Sequence, residues 1–300
     1  MRRTSLTTRL PSLALAAALL AGSGCVMHFG NWHESTSDIW GQSVSTDEGK
    51  LSVDGTLLPF DRWVDVTADL SGAAGVELAT ASDTIRVAGA AGTTATLKAR
   101  LWSEIEGDGT AVFEGGRLLA RSQGGGKVFI NAIEGSIPAA LALRAQSGTG
   151  MLDVSALAGD ACVDLESGTG DVALRDSRVG EVTLHSGTGD KLLKGVTGTA
   201  FGIDGGTGDA RLDDSTADSI HVKSGTGDAF LTGCHAPEAW VESGTGDVSL
   251  ARCELGRSRV HSGTGDLLLD GGKLDDIEFD SGTGDLVQRG GVVIGSYRER

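Results

Sequence analysis

Ser167-Gly-Thr-Gly-Asp171-Val-Ala-Leu174 is followed, after a polar loop, by Glu181-Val-Thr-Leu-His185, and the opening motif then returns at Ser186. Ser-Gly-Thr-Gly begins at Ser147, Ser167, Ser186, Ser224, Ser243, Ser262 and Ser281, and Gly205 opens an eighth copy as Gly-Gly-Thr-Gly-Asp. The first interval is 20 residues and the next six are 19. A fixed period of this length marks a repeat architecture. Apolar residues alternate on both sides of each motif: Val163 and Leu165 before it, Val172 and Leu174 after it, and likewise Val182 and Leu184, Ile220 and Val222, Val248 and Leu250, Leu267 and Leu269, Ile277 and Phe279. Alternation with period two marks strands with one buried face. One repeat is therefore two short strands, one tight turn and one looser loop.

A single unit of this kind cannot bury its apolar face, but a stack of units can. The sequence thus predicts an all-β fold: a parallel β-solenoid (β-helix) of 19-residue coils over residues 147–300, with coils about 4.8 Å apart. Much glycine (47 residues), little proline (4) and few aromatics suit repeated tight turns. Residues 51–146 read as an irregular β head that caps the N-terminal end, since open sheet edges invite aggregation; a separate small β-sandwich is the alternative. Two stretches there have the repeat's shape, Ser71-Gly-Ala-Ala-Gly75-Val76-Glu-Leu78 and Gln123-Gly-Gly-Gly-Lys127-Val128-Phe-Ile130, and Ala95-Thr-Leu97-Lys-Ala99-Arg-Leu101 alternates as a strand.

Outward from the repeat, residues 1–24 have the layout of an export signal. Arg2, Arg3 and Arg9 precede an apolar run from Leu10 and the small residues Gly22-Ser23-Gly24, with Cys25 next. The run is too short for a comfortable membrane span. The stretch resembles a bacterial lipoprotein signal, which implies lipidation of Cys25 after the cut; it departs from that pattern at Gly22, where Leu is usual. Ordinary secretion is the alternative. Residues 25–50 are polar and read as a tether, and Met27, His28, His33 and Glu34 within it are too loosely spaced for a ligand cage.

The net charge is −16, and removing the three arginines of the signal makes it −19. Such a surface repels phosphate backbones, so nucleic acid is not an expected partner. The expected partners are a membrane, through the lipid anchor, and a surface polymer or another protein.

Stacking converts each repeated residue into a column. The aspartates Asp171, Asp190, Asp209, Asp228, Asp247, Asp266 and Asp285 repel at about 4.8 Å by roughly 0.9 kcal/mol per neighbouring pair even in water. Hydrogen bonds from turn N–H groups can offset this; so could Ca²⁺ held between coils. Calcium-binding β-rolls carry Gly-Gly-x-Gly-x-Asp, whereas here Asp follows the second glycine directly. The threonines at 149, 169, 188, 207, 226, 245, 264 and 283 form a hydroxyl ladder that resembles the ice-binding face of some bacterial solenoids, without the neighbouring Asn of that pattern. Ser177, Val196, Ser215, Cys234, Cys253 and Gly272 mark an inner corner. Cys234 and Cys253, one coil apart, fall within disulfide range, with buried free thiols as the alternative. Cys162 lies off that column and looks unpaired. Leu192, Phe230, Leu268 and Val287, with Arg211 and Ser249 between them, form a partly apolar outward position.

The Ser-Gly-Thr-Gly-Asp turn with its alternating apolar flanks, and the lead-in Gly135-Ser-Ile-Pro138-Ala-Ala-Leu-Ala-Leu-Arg-Ala-Gln-Ser147, resemble a family of exported bacterial proteins described as adhesins with β-strand repeats, related to head-GIN domains. The resemblance covers about residues 51–300 and implies a β-helical fold and a cell-envelope location. It supplies no catalytic residues.

No nucleophile elbow, zinc-protease helix or phosphate loop is present. Catalysis needs one asymmetric constellation, not equal copies. His185 and His261 share a column but lie four coils apart, about 19 Å, and His221 and His235 have no evident partners. The expected function is a non-catalytic, adhesin-like structural or binding scaffold, an exported lipoprotein of the cell envelope, no enzyme and with no cofactor beyond the Ca²⁺ alternative. A calcium- or ice-binding solenoid and a β-helical polysaccharide-active enzyme are the rival classes.

Overall fold

The computed structural model describes residues 44–47 and 50–299. The proposed signal, Cys25 and the Met27–Glu34 stretch lie outside them. Every regular element in the described residues is a strand, and no helix among them is long and apolar enough to cross a membrane.

The solenoid rests on one register. The long strand of each coil pairs in parallel with its copy 19 residues on: Val163 with Val182, Val182 with Phe201, Phe201 with Ile220, Ile220 with Ala239. The short strand after the turn does the same, from Val172 with Lys191 to Leu267 with Leu286. A third side is reduced to single bridges, Arg178 with Thr197 and Thr197 with Thr216. Inward positions of all sides form one core, from Val163 and Leu165 to Ile277 and Phe279, with Val172, Leu174, Val248, Leu250, Leu267 and Leu269 on the short side. In two successive coils the third side joins its neighbours, giving 17-residue strands at Val248–Thr264 and Leu267–Thr283.

The two glycines of the motif have different causes. At Gly189, φ is +141°, a region open cheaply only to glycine. At Gly187 the cause is close approach, because a Cβ there would lie 2.6 Å from the carbonyl oxygen of Gly168 in the preceding coil. Close approach holds at Gly189 as well, where a Cβ would lie 2.4 Å from the Gly170 carbonyl oxygen, so the positive φ is what sets the second glycine apart. A second corner also runs at positive φ: Asp176 (47°), Gly195 (63°), Asp214 (49°), Gly233 (64°), Arg252 (54°), Gly271 (69°) and Gly290 (64°).

At the N-terminal end the strands are β1 (Val44–Asp47), β2 (Lys50–Val53), β3 (Thr56–Leu58), β4 (Phe60–Asp69), β5 (Gly75–Thr80), β6 (Ile85–Ala90), β7 (Thr94–Ser103), β8 (Thr110–Glu114), β9 (Arg117–Arg121), β10 (Val128–Pro138), β11 (Ala142–Ser147) and β12 (Leu152–Ser155). β5 and β6 stack as a coil beneath β11 and β12, with Val76 opposite Leu143, Thr80 opposite Ser147 and Ile85 opposite Leu152. The stretch around Ser71–Leu78 is therefore coil-like. That around Gln123–Ile130 is not: β10 runs antiparallel to β7 as well as parallel to β6. It belongs to an antiparallel layer of β4, β7 and β10, in which Ala95, Leu97, Ala99 and Leu101 of β7 are buried in the same core as the coils. β1, β2 and β3 form a separate antiparallel sheet whose Leu51, Val53 and Leu58 cover Trp102.

Candidate functional site

The repeated turn is a set of hydrogen-bond ladders. The first serine of each motif points inward. Ser167, Ser186, Ser224, Ser243 and Ser262 are buried, and their hydroxyls donate to the carbonyls of Gly150, Gly170, Gly208, Gly227 and Gly246 one turn below, at 2.9–3.3 Å. The threonines face solvent in a straight column. Each aspartate carboxylate accepts the backbone N–H of the next aspartate in the stack. The six bonds from Asp190 N to Asp171 Oδ1 through Asp285 N to Asp266 Oδ1 measure 2.8–2.9 Å. Charge-assisted bonds of this kind are worth about 1.5–3 kcal/mol each, more than the neighbouring-pair repulsion in water. The carboxylates are spread one per coil; among the described residues no group of three or more His, Cys, Asp or Glu is gathered around a common point.

The inner corner holds the residues expected of it, all buried: Ser177, Val196, Ser215, Cys234 and Cys253. Ser177 and Ser215 donate to the carbonyl two residues back, Arg175 and Asp213, at 2.7 and 2.8 Å. Cys234 and Cys253 repeat this with their thiols, toward Thr232 at 3.7 Å and Ala251 at 3.4 Å. The disulfide considered for this pair is not formed, and both are free thiols. Contact with Cys253, then burial, pushes the Cys234 thiol far above its ordinary range. Cys162 is buried and, in contrast to the expectation, is not left without a partner.

One coil breaks the inner pattern. Lys191 stands in the column of Val172, Ala210, Ala229, Val248 and Leu267 and is fully buried. Its Nζ donates to the Gly208 carbonyl at 3.1 Å. Burial lowers its pKa, opposed by the negative charges of Asp190, Asp204, Asp209 and Asp171. The place it fills is the one left by the single missing serine: a Cβ on Gly205 would lie 2.2 Å from the Lys191 Nζ. The two departures from the repeat are one compensating pair. Only the Gly205 departure was singled out from the sequence, and the stacking shows that Lys191 meets it.

Outward, the long strands present parallel columns. One runs Asp164, Thr183, Gly202, His221, Trp240, Arg259 and Glu278; beside it run Glu166, His185, Asp204, Lys223, Glu242, His261 and Asp280. Ion pairs link successive coils, Lys223 with Glu242 at 3.8 Å and Arg259 with Glu278 at 3.6 Å, and His261 Nδ1 lies 3.3 Å from Asp280 Oδ2. His185 and His261 do share a column four coils apart and do not meet. His221 and His235 have partners that the sequence reading missed. His235 lies 3.5 Å from Glu254, and His221 stacks on Trp240 with ring centroids 4.8 Å apart and planes 10° from parallel. On the short side, Leu192, Phe230, Leu268 and Val287 are half-buried, and the Arg211 guanidinium lies 5.7 Å from the Phe230 ring centroid. A cavity of about 400 Å³ in the N-terminal layer is lined by Phe60, Asp61, Arg62 and Glu106 among others, but Asp61 is engaged by Arg100 at 2.7 Å and Arg62 by the Gly109 carbonyl.

Residues 163–287 match the family described as Toastrack DUF4097. No curated protein matches the chain by sequence. Among solved structures, a candidate adhesin of Bacteroides fragilis is 14% identical, with 78% of this chain and 96% of that one covered and a TM-score of 0.39. A candidate lipid-binding protein of Parabacteroides distasonis is 12% identical, with 77% and 96% covered and a TM-score of 0.45.

Proposed function

We propose that the chain is an exported, lipid-anchored, non-catalytic binding scaffold of the bacterial cell envelope, adhesin-like in the sense that it retains a polymer or protein on a repetitive surface. The observation that carries this reading is the outward face of the long strands. Its polar groups repeat along straight columns in steps of about 4.8 Å and are tied to one another by ion pairs between coils. Such a surface offers many equivalent contacts along an axis, which suits an extended ligand; catalysis needs unlike groups converging on one point. The export half of the reading rests on the arginine-rich start, the apolar run and Cys25.

Two arms test it. The full chain and its Cys25→Ser variant are expressed in a Gram-negative host with labelled palmitate. Label in the membrane fraction for the wild type alone is expected; label in neither contradicts the anchor. Beads coated with the protein are then scored for retention on bacterial cells under flow. Retention no greater than that of beads coated with an unrelated acidic protein contradicts the scaffold.

A further inference from the structure

Gly202 sits mid-strand, in the central outward column, where glycine weakens a strand and often marks close approach by a ligand or another backbone. The fold does not require it. Its φ lies outside the left-handed range, and a Cβ there would meet nothing closer than the Val182 carbonyl oxygen at 3.7 Å. Its position between Thr183 and His221 therefore leaves one rung of the column empty. Ala200, in the next outward column of the same strand, keeps the floor shallow. The wall on one side is the exposed ring of His221, backed by Trp240, which is itself 48% exposed. The opposite wall is Thr183. His185, Asp204 and Lys223 line one flank, and His185 Nδ1 is 3.9 Å from Asp204 Oδ2.

We infer that this slot binds one pyranose ring of a neutral glycan, a reading that rests on the scaffold function above and names its ligand. A coil-to-coil step of about 4.8 Å leaves a space one ring thick. A sugar's C–H face stacks on an aromatic ring, as an apolar surface meets a π-face, and its hydroxyls meet the carboxylate, ammonium and hydroxyl groups around the rim. The arrangement has the usual division of a small-ligand site, an apolar platform with a few polar groups that fix orientation. The chain's net charge of −16 works against acidic polysaccharides and nucleic acid, and the charges around the slot make it a poor surface for lipid.

The test is affinity electrophoresis of the full chain in native gels containing dextran, laminarin, galactomannan or glycol chitin. Retardation by at least one of them is expected. Gly202→Val fills the empty rung with a residue that favours strands, so its thermal midpoint should equal or exceed the wild type's while retardation falls at least tenfold. His221→Ala should weaken retardation; Arg211→Ala, on the short side, should not. Absence of retardation by all four polysaccharides overturns the proposal, and so does equal retardation of wild type and Gly202→Val. If Gly202→Val loses no cell retention in the bead assay, the slot is refuted and the scaffold stands; if wild-type beads fail there while the gel shift survives, the scaffold falls and the sugar site remains.

Discussion

Replacing Gly205 by serine restores the repeat in sequence and should nevertheless destabilise the protein. In neighbouring coils the same serine is buried and useful: Ser186 donates to the Gly170 carbonyl at 2.9 Å, and Ser224 donates to the Gly208 carbonyl. At position 205 its Cβ would fall 2.2 Å from Lys191 Nζ and 2.9 Å from both Cδ and Cε. The lysine must leave a fully buried position, or the coil must deform; overpacking of this kind costs about 1–3 kcal/mol. With Lys191→Val in place, a residue that Val172 and Val248 already place in this column, the sign reverses. The serine then fills space and gains a carbonyl partner, worth about 1 kcal/mol. A cost near 2 kcal/mol turns into a gain near 1, a coupling of about 3 kcal/mol, at the upper end for residues in contact. Urea unfolding of the two single variants, the double variant and the wild type, followed by far-ultraviolet circular dichroism, measures it. Additivity within about 0.5 kcal/mol would refute the pairing of Lys191 with Gly205.

Three further outcomes follow from the corner geometry and the buried groups. Arg252 is held at φ 54° between Gly233 and Gly271, so Arg252→Gly should stabilise by about 1 kcal/mol, read as a higher urea midpoint. Burial depresses the Lys191 pKa below its ordinary 10.5. The unfolded chain then binds more protons between the two values, so this residue makes stability rise with pH up to about 10.5 and level off beyond; Lys191→Val should flatten that rise in thermal melts across alkaline pH. Cys234 and Cys253 are buried free thiols, so peptide mass spectrometry should find both alkylated by iodoacetamide after unfolding in non-reducing urea and neither in the native protein. Recovery of a Cys234–Cys253 cross-linked peptide would contradict the structure.

The architecture was legible because a 19-residue period and two-residue alternation report directly on stacking and on which side is buried. The period also assigned the columns, so Asp171–Asp285, the threonine ladder and the Ser177–Cys253 corner stand where the spacing put them. What escaped was information carried by exceptions. Gly205 stood out as the one motif without its serine, Lys191 drew no notice, and only the three-dimensional stack shows one filling the space the other vacates. The corner at 176, 195, 214, 233, 252, 271 and 290 reads Asp, Gly, Asp, Gly, Arg, Gly, Gly, a signature of positive φ, but it lies in the polar loops where alternation says nothing. Residues 123–130 misled for the opposite reason: a glycine cluster before alternating apolar residues suits an antiparallel strand as well as a coil. His221 and Trp240 sit 19 residues apart in the same column, so their stacking follows from the register once aromatic residues, as well as charged ones, are traced along each column.

The hydrogen-bond ladders and the side-chain columns depend on the coils stacking in parallel at one fixed step, and the exposed threonines allow that to be measured. Nitroxide labels at Thr169 and Thr245 are four coils apart, and labels at Thr169 and Thr283 are six coils apart. Pulsed electron spin resonance should give distances centred near 19 Å and 29 Å, a rise of about 4.8 Å per coil, each in a single narrow distribution. Distances that do not grow in proportion to the number of intervening coils would contradict the solenoid, and with it the ladders, the Lys191 pair and the slot over Gly202.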